Sequence, residues 1–486
     1  MAEKLHIVFA SSEMVPYIKT GGLADVSAAL PKALVKMGHR VTAFLPRYGP
    51  IPFPPGEFAG SVHVPVDAIN RSAGFYRTVQ DDGVEVIFVE HPDFFDRLSP
   101  NPYGFDGHDY VDNRLRFAFF ARSVAEFYRS RGERPSVFHI HDWQTGLLPL
   151  YLKAFYSIDP TLARAPVVFT IHNLAYQGNF DPDTLSILGL PWNLGTREGI
   201  EFHGQHSYMK AGILFSEIVN TVSPTYAKEI QTAEMGYRMD GVVRARAADL
   251  SGILNGVDYD EWDPRVDAHI AAHFSPKDPS GKAECKADLL RTLGLPEFPD
   301  LPVIGVTSRL VWLKGFDIVA AAWYDVLQRP LRMVILGTGE PEILVDLQRL
   351  AERAPDRFAL RFSYDTALAH KIVAGSDMFL MPSRFEPCGL TQLYSLRYGT
   401  VPVVRSAGGL VDTVEPWNAE TGEGTGFRFD AADGTGMIWA LDQALAAHRD
   451  KKAWRKLMKN GMSQDFSWDR SARAYVELYQ RAIAKA

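Results

Sequence analysis

The chain has 486 residues (54.2 kDa), 46% hydrophobic and 22% charged, with a formal net charge of −7 and a pI near 6.1. That length exceeds one ordinary domain and favours about two to three, with ample apolar content for their cores. The acidic balance excludes the broad basic field that nucleic-acid binding needs, no apolar run reaches the ~18 residues of a membrane span, and only two cysteines, Cys285 and Cys388, argue against a disulfide framework.

The first residues show neither the charged-then-apolar pattern of a secretory signal nor the Ser- and Arg-rich, acid-poor pattern of a transit peptide, so cytoplasm is the expected compartment. From there, short apolar runs bounded by turn residues alternate with helical patterns, the signature of parallel α/β architecture. Strands are predicted at 5–10, 39–45, 84–90, 136–141, 166–172 and 218–223, with helices clearest at 23–37, 113–129 and 209–216. The Pro- and Gly-rich stretch 46–60 reads as a long loop, and 251–258 as a connection followed by polar, Pro-containing chain to Gly281. The alternation then restarts, with strands at 303–308, 332–336, 358–362, 378–382, 401–404 and 426–429. Helices at 316–327, 341–353, 367–374, 390–398 and 435–448 lie between them. The tail from 467 is helical, and its Trp468, Tyr475 and Tyr479 mark a docked end. Two successive doubly wound units are the economical arrangement, with ligands at the carboxyl ends of the strands. The expected division is a first domain 1–253, a second 254–465, and a terminal helix 466–486 packing back on the first.

Chemistry is expected in the loops at strand ends. Lys19-Thr20-Gly21-Gly22-Leu23-Ala24-Asp25 joins the first strand to the first helix, placing a cation and two glycines at a helix start, where free N–H groups attract anions. Its spacing is neither that of a Walker loop nor Gly-x-Gly-x-x-Gly. Arg309 and Lys314-Gly315, after the strand at 303–308, form a suitable diphosphate clamp, though a pair of solvated cations fits the same pattern. Gly337-Thr338-Gly339-Glu340 is a short glycine turn at another ligand-loop position. In Ser383-Arg384-Phe385-Glu386-Pro387-Cys388-Gly389-Leu390-Thr391, Glu386 stands in a Pro-stiffened apolar loop, placed either to accept hydrogen bonds from sugar hydroxyls or to cap the next helix. His139, His141, Asp142 and His172 cluster at two strand ends; hydrogen-bonding roles fit them better than a metal site, because metal-binding helical spacing is absent. The 12% aromatic content suits a carbohydrate binder and core packing equally.

In order along the chain, Lys19-Thr20-Gly21-Gly22-Leu23, His141-Asp142-Trp143, Thr170-Ile171-His172-Asn173, Arg309, Lys314-Gly315 and the segment from Ser383 to Leu390 resemble the bacterial glycogen synthase and plant starch synthase family of retaining glucosyltransferases. The resemblance implies GT-B architecture, two Rossmann-like doubly wound domains facing a deep interdomain cleft. It also implies ADP-glucose as donor, glycogen or a malto-oligosaccharide as acceptor, and no cofactor or metal. Neither nucleic acid nor membrane is an expected partner, and the oligomeric state stays open. By position, Lys19, with Gly21, Gly22 and Asp25 of its loop, would face the donor. Asp142, His172 and Glu386 would line the glucose pocket, Arg309 and Lys314 would hold the diphosphate, and Tyr364 would lie near the adenine. Asn255 matches an active-site position, and Cys388, Gly389, Leu390 and Thr391 form the donor-binding turn beside Glu386. One departure is Tyr394, where many retaining relatives carry a second glutamate after Glu386, which puts the ribose contact in doubt. No paired carboxylates demand a nucleophile-and-acid mechanism, so front-face displacement is expected. Two competing readings are a phosphorylase-like pyridoxal phosphate enzyme, for which no matching Lys motif is found, and a non-catalytic ADP-sugar or glucan sensor.

Overall fold

In the computed structural model, which describes residues 4–67, 71–298 and 300–486, the apolar runs become strands buried on both faces. The chain divides into two compact units, Met1–Gly256 with Trp468–Ala486, and Val257–Ser467.

The first unit holds a nine-stranded sheet built from β1 (His6–Ala10), β2 (Arg40–Pro46), β3 (Glu57–Val64), β4 (Arg71–Val79), β5 (Glu85–Glu90), β6 (Val137–His141), β7 (Val167–Ile171), β8 (Ile218–Thr221) and β9 (Leu250–Gly252). Their order is β9-β8-β7-β6-β1-β2-β5-β4-β3. All neighbours run parallel except β5-β4 and β4-β3. The chain leaves β1 toward β2 on one side and later returns to β6 on the other. The topological switch point therefore falls between β1 and β6, where α/β folds bind ligands. The helix Gly22–Lys36 follows β1 because Leu23, Ala24, Val26, Ser27, Leu30, Ala33 and Leu34 form one buried stripe; Gly38, at φ 95°, lies just beyond its end.

The second unit holds a six-stranded sheet of β10 (Val303–Thr307), β11 (Arg332–Leu336), β12 (Phe358–Arg361), β13 (Met378–Met381), β14 (Val401–Arg405) and β15 (Phe427–Phe429). The order β12-β11-β10-β13-β14-β15, all parallel, is the Rossmann order, and its switch point lies between β10 and β13. Alternate residues of the strands feed two separate cores. Ile304, Val306, Met333 and Ile335 enter one; Val303, Val334, Leu336 and Phe379 enter the other. That period of two, apolar on both faces, is what buries a parallel sheet between helical layers.

Every predicted strand is present within two residues of its expected ends. Two corrections concern segments without a continuous apolar run. The end of the expected loop 46–60 is already strand, and β3 pairs antiparallel with β4 as a half-solvated hairpin whose exposed and buried residues intermix. The start of the expected connection 251–258 belongs to the short strand β9 at the other edge of the sheet. The helix expected over 316–327 is two, Phe316–Ala321 and Trp323–Leu327, because Ala322 leaves helical geometry at φ −89°, ψ 10°.

The terminal helix, Trp468–Lys485, is bound into the first unit by polar as well as apolar contacts. The Tyr479 hydroxyl hydrogen-bonds His139 Nδ1 at 2.8 Å, and Asn220 Nδ2 donates to the Tyr475 hydroxyl at 3.2 Å, all fully buried. Gly256 passes so close that a Cβ there would lie 2.7 Å from the Trp468 backbone. Tyr479→Phe strands the His139 nitrogen and should destabilise the first unit by about 1–3 kcal/mol, read as a lower urea midpoint.

Candidate active site

In the first unit the site begins where β1 ends. Glu13, 3% exposed, gathers the Lys19 loop onto its carboxylate. It accepts from Thr20 N (2.5 Å), Thr20 Oγ1 (2.5 Å), Gly21 N (3.1 Å) and the Tyr103 hydroxyl (2.6 Å). Ser11 Oγ in turn bonds both the backbone carbonyl and N–H of Glu13. This residue is absent from the expected set; its only signal in the sequence is a carboxylate three residues past a buried strand. Held in this way, Lys19 reaches Asp25 Oδ1 at 2.6 Å, and Asp25, raised by burial, is drawn back down by the ammonium. Gly21 starts the helix with φ −155° and no side-chain cap, and a Cβ there would meet nothing within 4 Å. Neither backbone nor packing demands glycine at this position. What glycine leaves is helix-start backbone without a side chain two residues from Lys19, with the Gly21 N–H itself given to Glu13.

Across the switch point, β6 and β7 end in the histidine cluster. His139 and His141 share a face, their rings 4.1 Å apart, as the alternation predicts. His139 spends both nitrogens, on Tyr479 and on Thr170 Oγ1 (2.8 Å), so it acts as a hydrogen-bonding core residue. His141 Nδ1 meets His172 Nε2 at 2.9 Å. Burial pushes all three imidazoles down, His172 to about 3, and keeps them neutral. Asp142 occupies the left-handed region at φ 54° and accepts the backbone N–H of His172 at 2.7 Å. Burial lifts its carboxyl to about 7 against the two backbone donors, and the nearby charge of Glu13 adds to the rise. Asn255 is buried, with its Oδ1 unpartnered among the described residues.

In the second unit, Lys314 Nζ donates to Glu386 Oε2 at 2.6 Å, and Ser383 Oγ reaches the same oxygen at 3.0 Å. Gly315 makes this possible: at φ 74° it lies so near the exit of β13 that a Cβ would sit 2.1 Å from the Pro382 carbonyl. The Glu386 backbone is held from the far side by the Gly409 N–H at 3.1 Å. Lys314 is therefore a half-buried partner of a buried carboxylate and departs from the solvated cation that sequence allows. Arg309 is exposed, and no ion pair is recorded for it among the described residues. The turn from Gly337 to Glu340 is tied to Leu310, which donates to the Thr338 carbonyl (2.8 Å) and accepts from Glu340 N (3.0 Å). Its glycines serve that close packing, since a Cβ on Gly337 would fall 1.8 Å from the Ser308 carbonyl. Beyond Glu386, Cys388 is buried at 4% exposure, and Gly389 takes φ 75°. Gln392 Nε2 donates to the carbonyls of both, a brace that sequence reading missed. Leu390 precedes the helix Thr391–Arg397, and Thr391 Oγ1 touches Met381 Sδ at 3.4 Å. Tyr364, just past β12, is 82% exposed.

Comparison with known proteins gives the family. The family described as starch synthase catalytic domain matches residues 6–245, and glycosyl transferases group 1 matches 301–447. A glycogen synthase of Anaeromyxobacter sp. (strain Fw109-5) is 49% identical over 480 residues, 99% of this chain and 100% of that one. The chain belongs to the glycogen and starch synthase family. A glycogen synthase of Koribacter versatilis (strain Ellin345) is 48% identical, covering 98% of each chain. Among solved structures, the catalytic domain of starch synthase IV from Arabidopsis thaliana, described as bound to ADP and acarbose, superposes with a TM-score of 0.90 at 36% identity. That match covers 99% of this chain and 100% of the other. The architecture is thus GT-B, and this glycogen and starch synthase relative is a glycosyltransferase.

Two consequences of the geometry are measurable. Glu13→Gln turns an amide against donors and should loosen the loop, with amide exchange of Thr20 and Gly21 accelerated about tenfold or more. For Asp142, the folded pKa of about 7 lies above the ordinary 3.8, so ionisation destabilises the fold as pH rises between those values. The penalty is absent below pH ~4 and complete above ~7. Asp142→Asn, which keeps the acceptor oxygen and tolerates positive φ, should therefore stabilise the protein at pH 8 by about 1–3 kcal/mol and leave it unchanged at pH 4. Denaturant midpoints at the two pH values check the sign.

Proposed function

We propose that the chain transfers glucose from ADP-glucose to the non-reducing 4-hydroxyl of an α-1,4-glucan, such as glycogen or a malto-oligosaccharide, with retention of configuration. The observation that carries this reading is the placement of cations and hydrogen-bonding groups at the switch points of both sheets. The glycogen synthase relatives and the ADP-bound starch synthase supply the substrate class. The described residues include no helix long and apolar enough to cross a membrane, in keeping with action on a dissolved donor and glucan in the cytoplasm.

In this reading Arg309 and Lys314 hold the diphosphate, and Lys19 with the backbone of Gly21 and Gly22 faces the donor. Asp142, His172 and Glu386 bind the glucosyl hydroxyls. Tyr364 lies beside the adenine, and Asn255 contributes from the first unit. The segment Cys388-Gly389-Leu390-Thr391 presents backbone to the donor. The bond from the anomeric carbon to the phosphate oxygen breaks as the acceptor oxygen enters on the same face, and that phosphate oxygen takes the acceptor's proton. Negative charge builds on the diphosphate, where preorganised cations contribute most. Glu386 keeps Lys314 in position before the donor arrives, so little reorganisation is left for the reaction step.

Release of ADP from ADP-glucose, with and without glycogen, tests the activity; release should require the glucan, and a preference for UDP-glucose would overturn the donor assignment. Arg309→Ala is the cleaner clamp variant, because Lys314→Ala also strands the buried Glu386 carboxylate. It should lower kcat about 10²–10³-fold while the melting temperature stays unchanged.

A further inference from the structure

We infer that His141 is a positioning residue: its Nδ1–H, donated to His172 Nε2, locks His172 in the tautomer that offers Nδ1–H to the glucosyl group. The inference rests on the reading of His172 as a donor-sugar contact. Four observations carry it. The His141 ring is fully buried and packed against Phe9 and His139, with each ring centroid 4.1 Å away, so packing holds its plane and turning it over would lose the contact to His172. The Nδ1···Nε2 separation is 2.9 Å, a hydrogen bond that holds one proton between two neutral rings. The other nitrogen, His141 Nε2, is buried with no partner among the described residues. The nearest imidazole cannot serve it, since His139 has both nitrogens engaged.

Those facts select the tautomer. A proton on His141 Nε2 would be a buried N–H without an acceptor, which proteins tolerate less readily than a buried lone pair without a donor. The proton therefore sits on Nδ1 and points at His172. The His172 Nε2 must then be the acceptor, and a neutral His172 carries its own proton on Nδ1. His172 is only partly buried, and no intrachain partner is recorded for Nδ1 among the described residues. Asp142 fixes the same residue through its backbone N–H. His172 is thus held from two sides, by main chain and by ring, with one donor left over.

The full chain labelled with ¹⁵N-histidine tests this through long-range ¹H–¹⁵N spectra, which separate the two tautomers of each ring. Wild type should show His141 and His172 both protonated on Nδ1; His172 protonated on Nε2 would overturn the inference. His141→Phe keeps the ring packing and removes the donor. It should lower kcat about 10- to 100-fold, the usual effect of losing an outer partner, with the donor KM within about threefold, and His172 should become a mixture of tautomers. His141→Asn, whose amide can still donate, should stay within about fivefold of wild type. A fully active His141→Phe would refute the positioning role. If that variant does not fold, the wild-type spectrum and the His141→Asn kinetics decide. His172→Ala separates the two layers: full activity there would overturn the sugar-contact reading, whereas an inactive His172→Ala beside a fully active His141→Phe overturns only this inference.

Discussion

A parallel sheet buried on both faces leaves polar chemistry one place to go. Strands such as β1, β10 and β13 carry mostly apolar side chains toward both helical layers, so their charged neighbours gather where the strands end. At a switch point the loops from two neighbouring strands turn in opposite directions and leave a crevice between them. Each unit places its Lys, its carboxylate and its glycines around that crevice. In the first these are the Lys19 loop and Asp142; in the second, Lys314 and Glu386.

Buried carboxylates do the local organising. Glu13 turns a flexible glycine loop into a fixed one through four donors, and Glu386 does the same for Lys314 with help from Ser383. Such groups stabilise only while every lone pair is answered, since an orphaned buried charge costs several kcal/mol. Asp142 is the contrary case. It has two backbone donors, no cation among the described residues, and a neighbouring carboxylate, and so sits at the edge of ionisation near neutral pH. A fold that keeps a carboxyl there gives up stability for a hydrogen-bonding group at the site.

What was legible in the sequence follows the same division. Strands buried on both faces announce themselves as apolar runs, and the charged loops after them stand out by contrast. The hairpin β3-β4 was hidden because its one solvated face breaks the run into an irregular pattern. Glu13 and Gln392 were hidden for another reason: each divides its contacts between backbone groups, which every residue has, and hydroxyls brought close only by the fold, so no local motif marks them. The glycines differ in what they require. Gly337 looks like a ligand-loop residue, yet the close approach of the Ser308 carbonyl already explains it, whereas Gly21 has no such structural demand.

The far end of the chain also enters the site's support. Tyr479 fixes His139, the His139 ring lies against His141, and His141 holds His172. The first links are fully buried, and each imidazole is uncharged, so the series transmits position and not charge. A series of packed, hydrogen-bonded rings holds orientation more finely than a loop can, because each ring is closed in by its neighbours. The terminal helix is therefore part of the scaffold that orients a half-buried imidazole about 300 residues earlier in sequence, which explains why residue 479 carries a hydroxyl where plain apolar packing would accept phenylalanine.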